Sequence, residues 1–120
     1  MKRLPDSELE IMLIIWDAAN PVSRTYIQER LQRSREIAPT TILSFLSRLE
    51  AKGFLKVEKR GKSNYYFPLI RQEDYVKNES KTMLERFFGN SIKNFVVQLS
   101  DSDMVEESEL QELKKFLDRF

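Results

Sequence analysis

One helical stretch constrains the fold of this chain more than any other: residues 37–52, IAPTTILSFLSRLEAK, which Gly53 follows directly. Pro39 has the fixed φ of a first helical turn, and Gly53 suits the left-handed residue just beyond a helix end. The stretch therefore predicts a helix over 39–52. At about 100° per residue, one face of this helix is apolar. That face contains Ile42, Leu43, Phe45, Leu46 and Leu49.

The opposite face of this helix consists of small or hydroxylated side chains and one arginine, whereas an ordinary solvated face carries long Glu and Lys side chains. Thr and Ser can hydrogen-bond phosphate or base edges, and Arg can form two hydrogen bonds with guanine. These properties favour a helix that lies in the major groove of DNA. A solvated face that happens to be rich in Ser and Thr is the alternative. The predicted contact residues are Thr40, Thr41, Ser44 and Arg48, beside Ser47 and Ala51.

Two shorter helices are predicted before this one. Ser7 with Glu10 indicates a capping box at the start of the first helix, whose apolar residues cover more than one side. Ser23 is a good N-cap for a second helix over 24–33, and the polar residues 32–37 indicate a turn. The helix over 24–33 is joined by this turn to the helix over 39–52, whose outer face suits a DNA groove. This arrangement predicts a helix-turn-helix.

The pattern changes to that of two strands after Gly53. Residues 54–59, FLKVEK, alternate between apolar and charged side chains, and residues 64–69, NYYFPL, are rich in aromatic side chains. A β-hairpin that follows a helix-turn-helix is the element order of a winged helix. The alternative, a solvated hairpin turn, does not by itself predict three cations in four positions. The side chains expected to contact phosphate are Lys59, Arg60 and Lys62.

Residues 71–120 have a helical period and no strand signal. Segments 74–88, 91–99 and 107–120 predict three helices, and Ser91 can cap the second of them. Several Phe and Leu side chains left in water would forgo on the order of ten kcal/mol. The simplest partner is a second copy of this segment, since two-fold dimers are the commonest assembly; folding back on the first domain is the alternative. The residues assigned to the dimer are Phe87, Phe88, Ile92, Phe95, Leu99, Leu110, Leu113, Phe116 and Leu117.

Composition excludes several classes of function. The chain has neither Cys nor His, which excludes disulfides, Cys or His metal sites and catalysis by imidazole. It also lacks a Gly-rich phosphate loop and a convincing pair of acids, so we expect no enzyme, no metal and no cofactor. No apolar run approaches the roughly 20 residues that span a bilayer, and no signal peptide begins the chain. We therefore expect a cytoplasmic protein without membrane contact.

The net charge of +1 is divided unevenly along the chain. Residues 1–70 carry 12 Lys and Arg against 8 Asp and Glu, whereas residues 71–120 carry 8 against 11. A mildly basic first part can meet a polyanion such as DNA. We predict a mainly α-helical protein with a small β-hairpin. A winged helix-turn-helix domain would occupy residues 1–70, and an all-helical dimerisation domain would occupy residues 71–120.

These motifs resemble the BlaI/MecI family of penicillinase and methicillin-resistance repressors. The matching segments are LPDSELEIMLIIW, PTTILSFLSRLEAKGFL, YYFPL and KNFVVQL. The resemblance implies a homodimer that represses transcription from palindromic DNA operators and acts in antibiotic resistance. The resemblance also implies that Thr40, Thr41 and Arg48 contact the operator and that the three hairpin cations lie on the wing. The family often has Ser before the helix proline and Lys after it; this chain has Ala38 and Thr40, which leaves the operator sequence open.

The resemblance also implies a route of induction. In the family, a membrane sensor that detects a β-lactam leads to cleavage of an Asn-Phe bond in the dimerisation helices, and Asn94 and Phe95 match that pair. A sensor-linked metalloprotease would then be a partner. A copper-responsive relative depends on a C-terminal cysteine cluster, which this chain lacks. Two alternatives stay open: a winged helix that binds another protein, and a repressor released by a small ligand.

Overall fold

A computed structural model describes residues 1–32 and 36–120, so the middle of the turn predicted over 32–37 and the last residue of the helix predicted over 24–33 lie outside the described residues. The chain divides into two compact units, Met1–Asn78 and Glu79–Phe120. The elements in order are α1 Asp6–Asp17, β1 Val22–Ser23, α2 Arg24–Leu31, α3 Pro39–Ala51, β2 Leu55–Arg60, β3 Ser63–Pro68, α4 Gln72–Phe88, α5 Ile92–Asp101 and α6 Glu107–Leu117.

A small antiparallel sheet with strand order β1-β3-β2 stands beside the first three helices. The predicted hairpin is confirmed, with Val57 opposite Tyr66 and a turn at Gly61 that has a φ of +63°. Strand β1, which the sequence did not predict, pairs Val22 with Tyr66 on the other side of β3. Two residues are too few to show a period of two, so only the tertiary pairing defines this strand. The predicted mainly helical fold with a small β-structure is confirmed.

The core of the first unit is formed where α1, α2 and α3 meet the sheet. Ile11, Ile42 and Leu49 are completely buried in it. Tyr75, the fourth residue of α4, is also buried there, and its hydroxyl accepts a hydrogen bond from the Leu4 backbone N–H at 2.8 Å. The first turns of α4 therefore belong to the first unit.

Helix starts follow the predicted caps at two of three positions. Ser23 Oγ accepts the backbone N–H of Tyr26 at 3.2 Å at the start of α2, and Ser91 Oγ accepts that of Asn94 at 3.1 Å at the start of α5. The capping box predicted at Ser7 is wrong. Helix α1 begins at Asp6 with Pro5 as its N-cap residue, so Ser7 lies inside the first turn, where its side chain does not cap the helix.

One buried ion pair joins the first turn of α1 to the end of α3. Glu8 is only 2% exposed, and Lys52 Nζ donates a hydrogen bond to its Oε1 atom. Lys52 is the C-cap residue of α3, where a cation also interacts favourably with the helix dipole. The pair holds the end of α3 against α1.

The second unit is less densely packed than the first. In α5 and α6, all of whose residues are described, no side chain is buried. The rings of Phe88 and Phe95 meet edge to face with centroids 5.3 Å apart. Helices α5 and α6 enclose an apolar groove of about 470 Å³. Its principal apolar residues are Phe95, Leu99, Leu110, Leu113 and Phe116.

Candidate nucleic-acid interface

The outer face of α3 is a continuous exposed surface. Buried Ile42, Leu46 and Leu49 fix the rotation of the helix about its axis, because their side chains are at most 1% exposed. The opposite side chains therefore point into solvent. The guanidinium of Arg48 lies 5.7 Å from the ring centroid of Phe45, one turn earlier on the helix. The predicted contact residues that the structure brings together on this exposed face are Thr40, Thr41, Ser44 and Arg48.

The prediction of the apolar face of α3 is wrong at Leu43. The apolar pattern predicts this residue on the inward side, yet Leu43 is 41% exposed. The reason is helical geometry: Leu43 is rotated by about 100° from Ile42 and lies at the edge of the arc that reaches the core. Leu43 therefore belongs to the outer surface of α3.

A shallow depression of about 200 Å³ borders Leu43. The start of α2 forms one side of it, and the start of β3 forms another. Burial raises the pKa of the Tyr66 hydroxyl in this depression, although a hydrogen bond with the Asn64 side chain opposes the increase. The contribution of α2 to this surface was not predicted from the sequence, where the N-cap at Ser23 was the one feature that pointed to this end of the helix. The lining residues are Ser23, Arg24, Thr25, Leu43, Ser63, Asn64 and Tyr66.

The cations of the hairpin differ in their surroundings. Arg60 Nε lies 3.4 Å from Glu58 Oε1, and the Arg60 guanidinium is 5.4 Å from the Tyr65 ring centroid. Lys59 and Lys62 are exposed, and within the described ranges no ion pair involves either of them. The charges of these two lysines are therefore available to an anion, whereas that of Arg60 is partly neutralised.

The predicted cleavage pair lies at the start of α5. Asn94 is exposed, and its side chain borders a surface depression that also contains Phe87 and Gly89. Phe95 is half-buried against Phe88, and its backbone N–H donates to the carbonyl oxygen of Ser91 at 3.2 Å. The peptide bond between Asn94 and Phe95 is thus part of the first helical turn.

The predicted dimerisation residues divide into two sets. Five of them are the principal apolar residues of the groove between α5 and α6, and Phe88 packs on one of these, Phe95. Phe87, Ile92 and Leu117 do not line this groove and are more than half exposed. Phe116, which does line it, is also 54% exposed. The second unit therefore has a large apolar surface that its own helices do not cover.

Two kinds of site are missing from the part of the chain that the structure describes. No three Asp or Glu side chains converge there as a metal site would require. Over the same ranges, no helix is long and apolar enough to cross a membrane.

Known proteins resemble this chain over almost its whole length. Residues 4–119 match the family described as penicillinase repressor. The chain belongs to the penicillinase repressor family. The resemblance seen in the sequence motifs is therefore confirmed, and this family is named for repressors and not for an enzyme activity.

Full-length relatives within the penicillinase repressor family share about a quarter to a third of their residues with this chain. The penicillinase repressor of Bacillus licheniformis is 32% identical over 98% of this chain and 94% of its own length. The methicillin resistance regulatory protein MecI of Mammaliicoccus sciuri is 27% identical over 97% of this chain and 94% of its own length. The similarity therefore extends through both compact units.

Solved structures of BlaI repressors match about three fifths of the chain. The solution structure of the DNA binding domain of the repressor BlaI has 33% identity and a TM-score of 0.54, and covers 62% of this chain and 94% of that domain. The Bacillus licheniformis BlaI monomeric form, solved in complex with the blaP half-operator, has 32% identity and a TM-score of 0.52. It covers 62% of this chain and 89% of that one. The fold of the matched region is thus the winged helix of these repressors.

Proposed function

We propose that this protein is a sequence-specific DNA-binding repressor of transcription that acts as a homodimer on a palindromic operator. The observation that carries the proposal is the exposed hydroxyl and arginine face of α3 in a member of a repressor family. The complex of the related BlaI protein with a half-operator supports the same partner, double-stranded DNA. No catalytic step is required of the protein in this role.

Helix α3 would lie in the major groove. Thr40, Thr41 and Ser44 would donate hydrogen bonds to phosphate or base edges, and Arg48 would pair with guanine. Ala38 leaves the start of α3 without a side-chain cap, and Pro39 has no N–H. The Thr40 backbone N–H would therefore donate a hydrogen bond to a phosphate oxygen. The hairpin would lie along the DNA backbone and contact phosphate through Lys59, Arg60 and Lys62.

Selection of sequences from a random duplex pool, followed by titration across a salt series, tests DNA recognition. We expect the protein to enrich one sequence class and to bind it with an affinity that falls steeply with salt, because phosphate contacts release counterions. Binding to random duplex should fall in the same way but start weaker. A folded protein that is indifferent to both duplexes would overturn the proposal and favour the protein-interaction module.

The apolar groove of the second unit supports the homodimer. Burial of several half-buried Phe and Leu side chains in an interface would stabilise the dimer by an amount on the order of ten kcal/mol, before the entropy cost of association is subtracted. A second copy of α5 and α6 offers the same apolar surface in return, as a two-fold interface requires. Two linked DNA-binding units would then gain about 10²- to 10⁴-fold in affinity on a two-site operator.

A charge placed inside the groove tests the dimer. Leu113→Glu should shift the protein from dimer to monomer in sedimentation, because a carboxylate in an apolar interface is costly to desolvate. Ser108→Glu adds the same charge to α6 at a position that does not line the groove, and should leave the dimer intact. Equal sedimentation of both variants and of the unaltered protein would contradict this assignment of the interface.

We further propose that cleavage between Asn94 and Phe95 by a sensor-linked metalloprotease, in response to a β-lactam, inactivates the repressor. Removing residues 95–120 would delete the groove and separate the two DNA-binding units. Helical peptide bonds do not fit an extended protease cleft, so the first turn of α5 would have to unwind before cleavage. The Ser91 cap, the first backbone hydrogen bonds and the packing of Phe95 on Phe88 resist that unwinding.

Two substitutions test this route in cells that carry a cognate sensor. Asn94→Asp should block cleavage and induction, whereas Ser91→Ala should speed cleavage because it removes the cap of α5. Normal cleavage of Asn94→Asp would show that this bond is not the target. Normal induction without any cleaved protein would instead favour a repressor that a small ligand releases.

A further inference from the structure

Leu43 is an apolar side chain on a surface that is otherwise polar. It is the fifth residue of α3, and Thr40 and Ser47 are its neighbours on the same side of the helix. Three hydroxyl-bearing residues, Ser23, Thr25 and Ser63, are among those that line the depression beside it. A single exposed leucine is common on protein surfaces. This one, however, lies in the N-terminal half of α3, and the N-terminal residues of a recognition helix are among those that contact base edges.

The chemistry of the major groove limits what such a side chain can face. Every base pair presents hydrogen-bond donors or acceptors there, and the 5-methyl group of thymine is the apolar group among them. A leucine pressed against a donor or acceptor would remove its water without replacing the hydrogen bond, which is unfavourable. Against a methyl group, the same side chain buries apolar surface on both partners.

We propose that Leu43 determines specificity by recognising thymine through its 5-methyl group. This inference rests on the proposed function, because it requires α3 to lie in the major groove. Arg48 and Leu43 would then read two different features of the operator: Arg48 pairs with the acceptor edge of guanine, and Leu43 packs on a methyl group. A cytosine in place of that thymine would present an amino group and lose the contact.

Deoxyuridine provides the test, since it differs from thymidine in the duplex by the methyl group alone. The full-length protein first enriches its preferred duplex from a random pool. Each thymine of that duplex is then replaced singly by deoxyuridine, and dissociation constants are measured. We expect one thymine in each half-site whose replacement weakens binding about fourfold, the value of one buried methyl group.

The variant Leu43→Ala should bind the thymine duplex more weakly and lose the effect of deoxyuridine at that one position. Leu13→Ala is the matched control, because Leu13 is a similarly exposed leucine on α1 that does not line the depression. It should retain the full deoxyuridine effect. Unchanged binding of both variants to random duplex would show that they remain folded.

The outcomes separate this inference from the proposed function. Enrichment of a sequence whose deoxyuridine effects persist in Leu43→Ala would overturn the inference and leave the proposed function intact. Equal weakening of Leu43→Ala on every duplex would place Leu43 against the sugar-phosphate backbone, and would likewise overturn it. If no sequence is enriched, the proposed function fails and the inference fails with it.

Discussion

Individual cations of the first unit have different surroundings. Arg48 projects from the outer face of α3 and is steadied by the Phe45 ring, which suits a guanidinium that must present two donors in a fixed direction. Lys62 stands in the turn of the hairpin, where a flexible ammonium can approach phosphate without a fixed geometry. Base recognition and backbone attraction would thus be divided between two elements.

Alanine substitutions should separate these roles. Arg48→Ala should lose about 1 to 3 kcal/mol of discrimination between the enriched sequence and random DNA if the guanidinium reads a base. Lys62→Ala should weaken binding to all sequences alike and reduce the salt slope by about one. Lys93→Ala, on exposed α5, is the control and should change neither quantity. Equal effects of Arg48→Ala and Lys62→Ala on both duplexes would contradict this division.

The hydroxyl of Tyr75 links the N-terminal segment to α4. The buried Leu4 N–H has the Tyr75 hydroxyl as its acceptor at 2.8 Å. Tyr75→Phe removes only that oxygen and leaves the backbone donor unsatisfied, so the free energy of unfolding in urea should fall by about 1 to 3 kcal/mol. Tyr65→Phe, on half-buried β3, provides a comparison and should cost less. A Tyr75→Phe protein as stable as the Tyr65→Phe protein would show that water replaces the lost oxygen.

At the scale of elements, helix α3 is oriented by contacts on two sides. Its apolar stripe packs into the core, and the Glu8–Lys52 ion pair holds its C-terminal end to α1. The Lys52 side chain is 23% exposed and its partner 3%, so water reaches only one member of the pair. The outer face of α3 can therefore be small and polar without contributing to the stability of the helix.

Helix α2 depends on one cap that also borders the depression beside α3. Ser23→Ala should destabilise the first unit by about 1 kcal/mol, because the Tyr26 N–H loses its acceptor. Ser7→Ala is the matched control, since Ser7 lies inside the first turn of α1 and does not cap it; its effect should stay within about 0.5 kcal/mol. Chemical denaturation of both variants measures the difference. Equal losses would mean that the cap contributes little.

At the scale of the whole molecule, the two compact units are stabilised in different ways. The first unit has a closed core that includes Tyr75, whereas α5 and α6 bury no side chain completely. The first unit should therefore be stable as a single copy. The second unit should depend on association, because its exposed Phe and Leu side chains need a partner surface.

Thermal unfolding at different protein concentrations tests that difference. A fragment of residues 1–78 should unfold with a midpoint that does not change over a hundredfold range of concentration. The full chain should show a helical transition whose midpoint rises with concentration, since association stabilises the folded second unit by mass action. A full-chain transition that is independent of concentration would argue against a dimer in this range.

Much of this protein was determined by local sequence patterns. The helical period of α3, the caps at Ser23 and Ser91, the hairpin turn at Gly61 and the hydroxylated outer face could all be predicted, because each depends on residues within one or two turns of each other. The family motifs then indicated the fold that the comparisons confirm. The individual DNA contacts, the dimer and the cleavage bond stay predictions.

Only the tertiary structure decided the features that join distant parts of the chain. Strand β1 exists because Val22 meets Tyr66, and Tyr75 belongs to the first unit because its hydroxyl reaches Leu4. On α3, Ile42 and Leu46 reach the core whereas Leu43 is exposed. The apolar character of these three residues alone does not predict this difference. Burial and pairing depend on which surfaces meet in three dimensions, and a local pattern specifies only which surfaces are available.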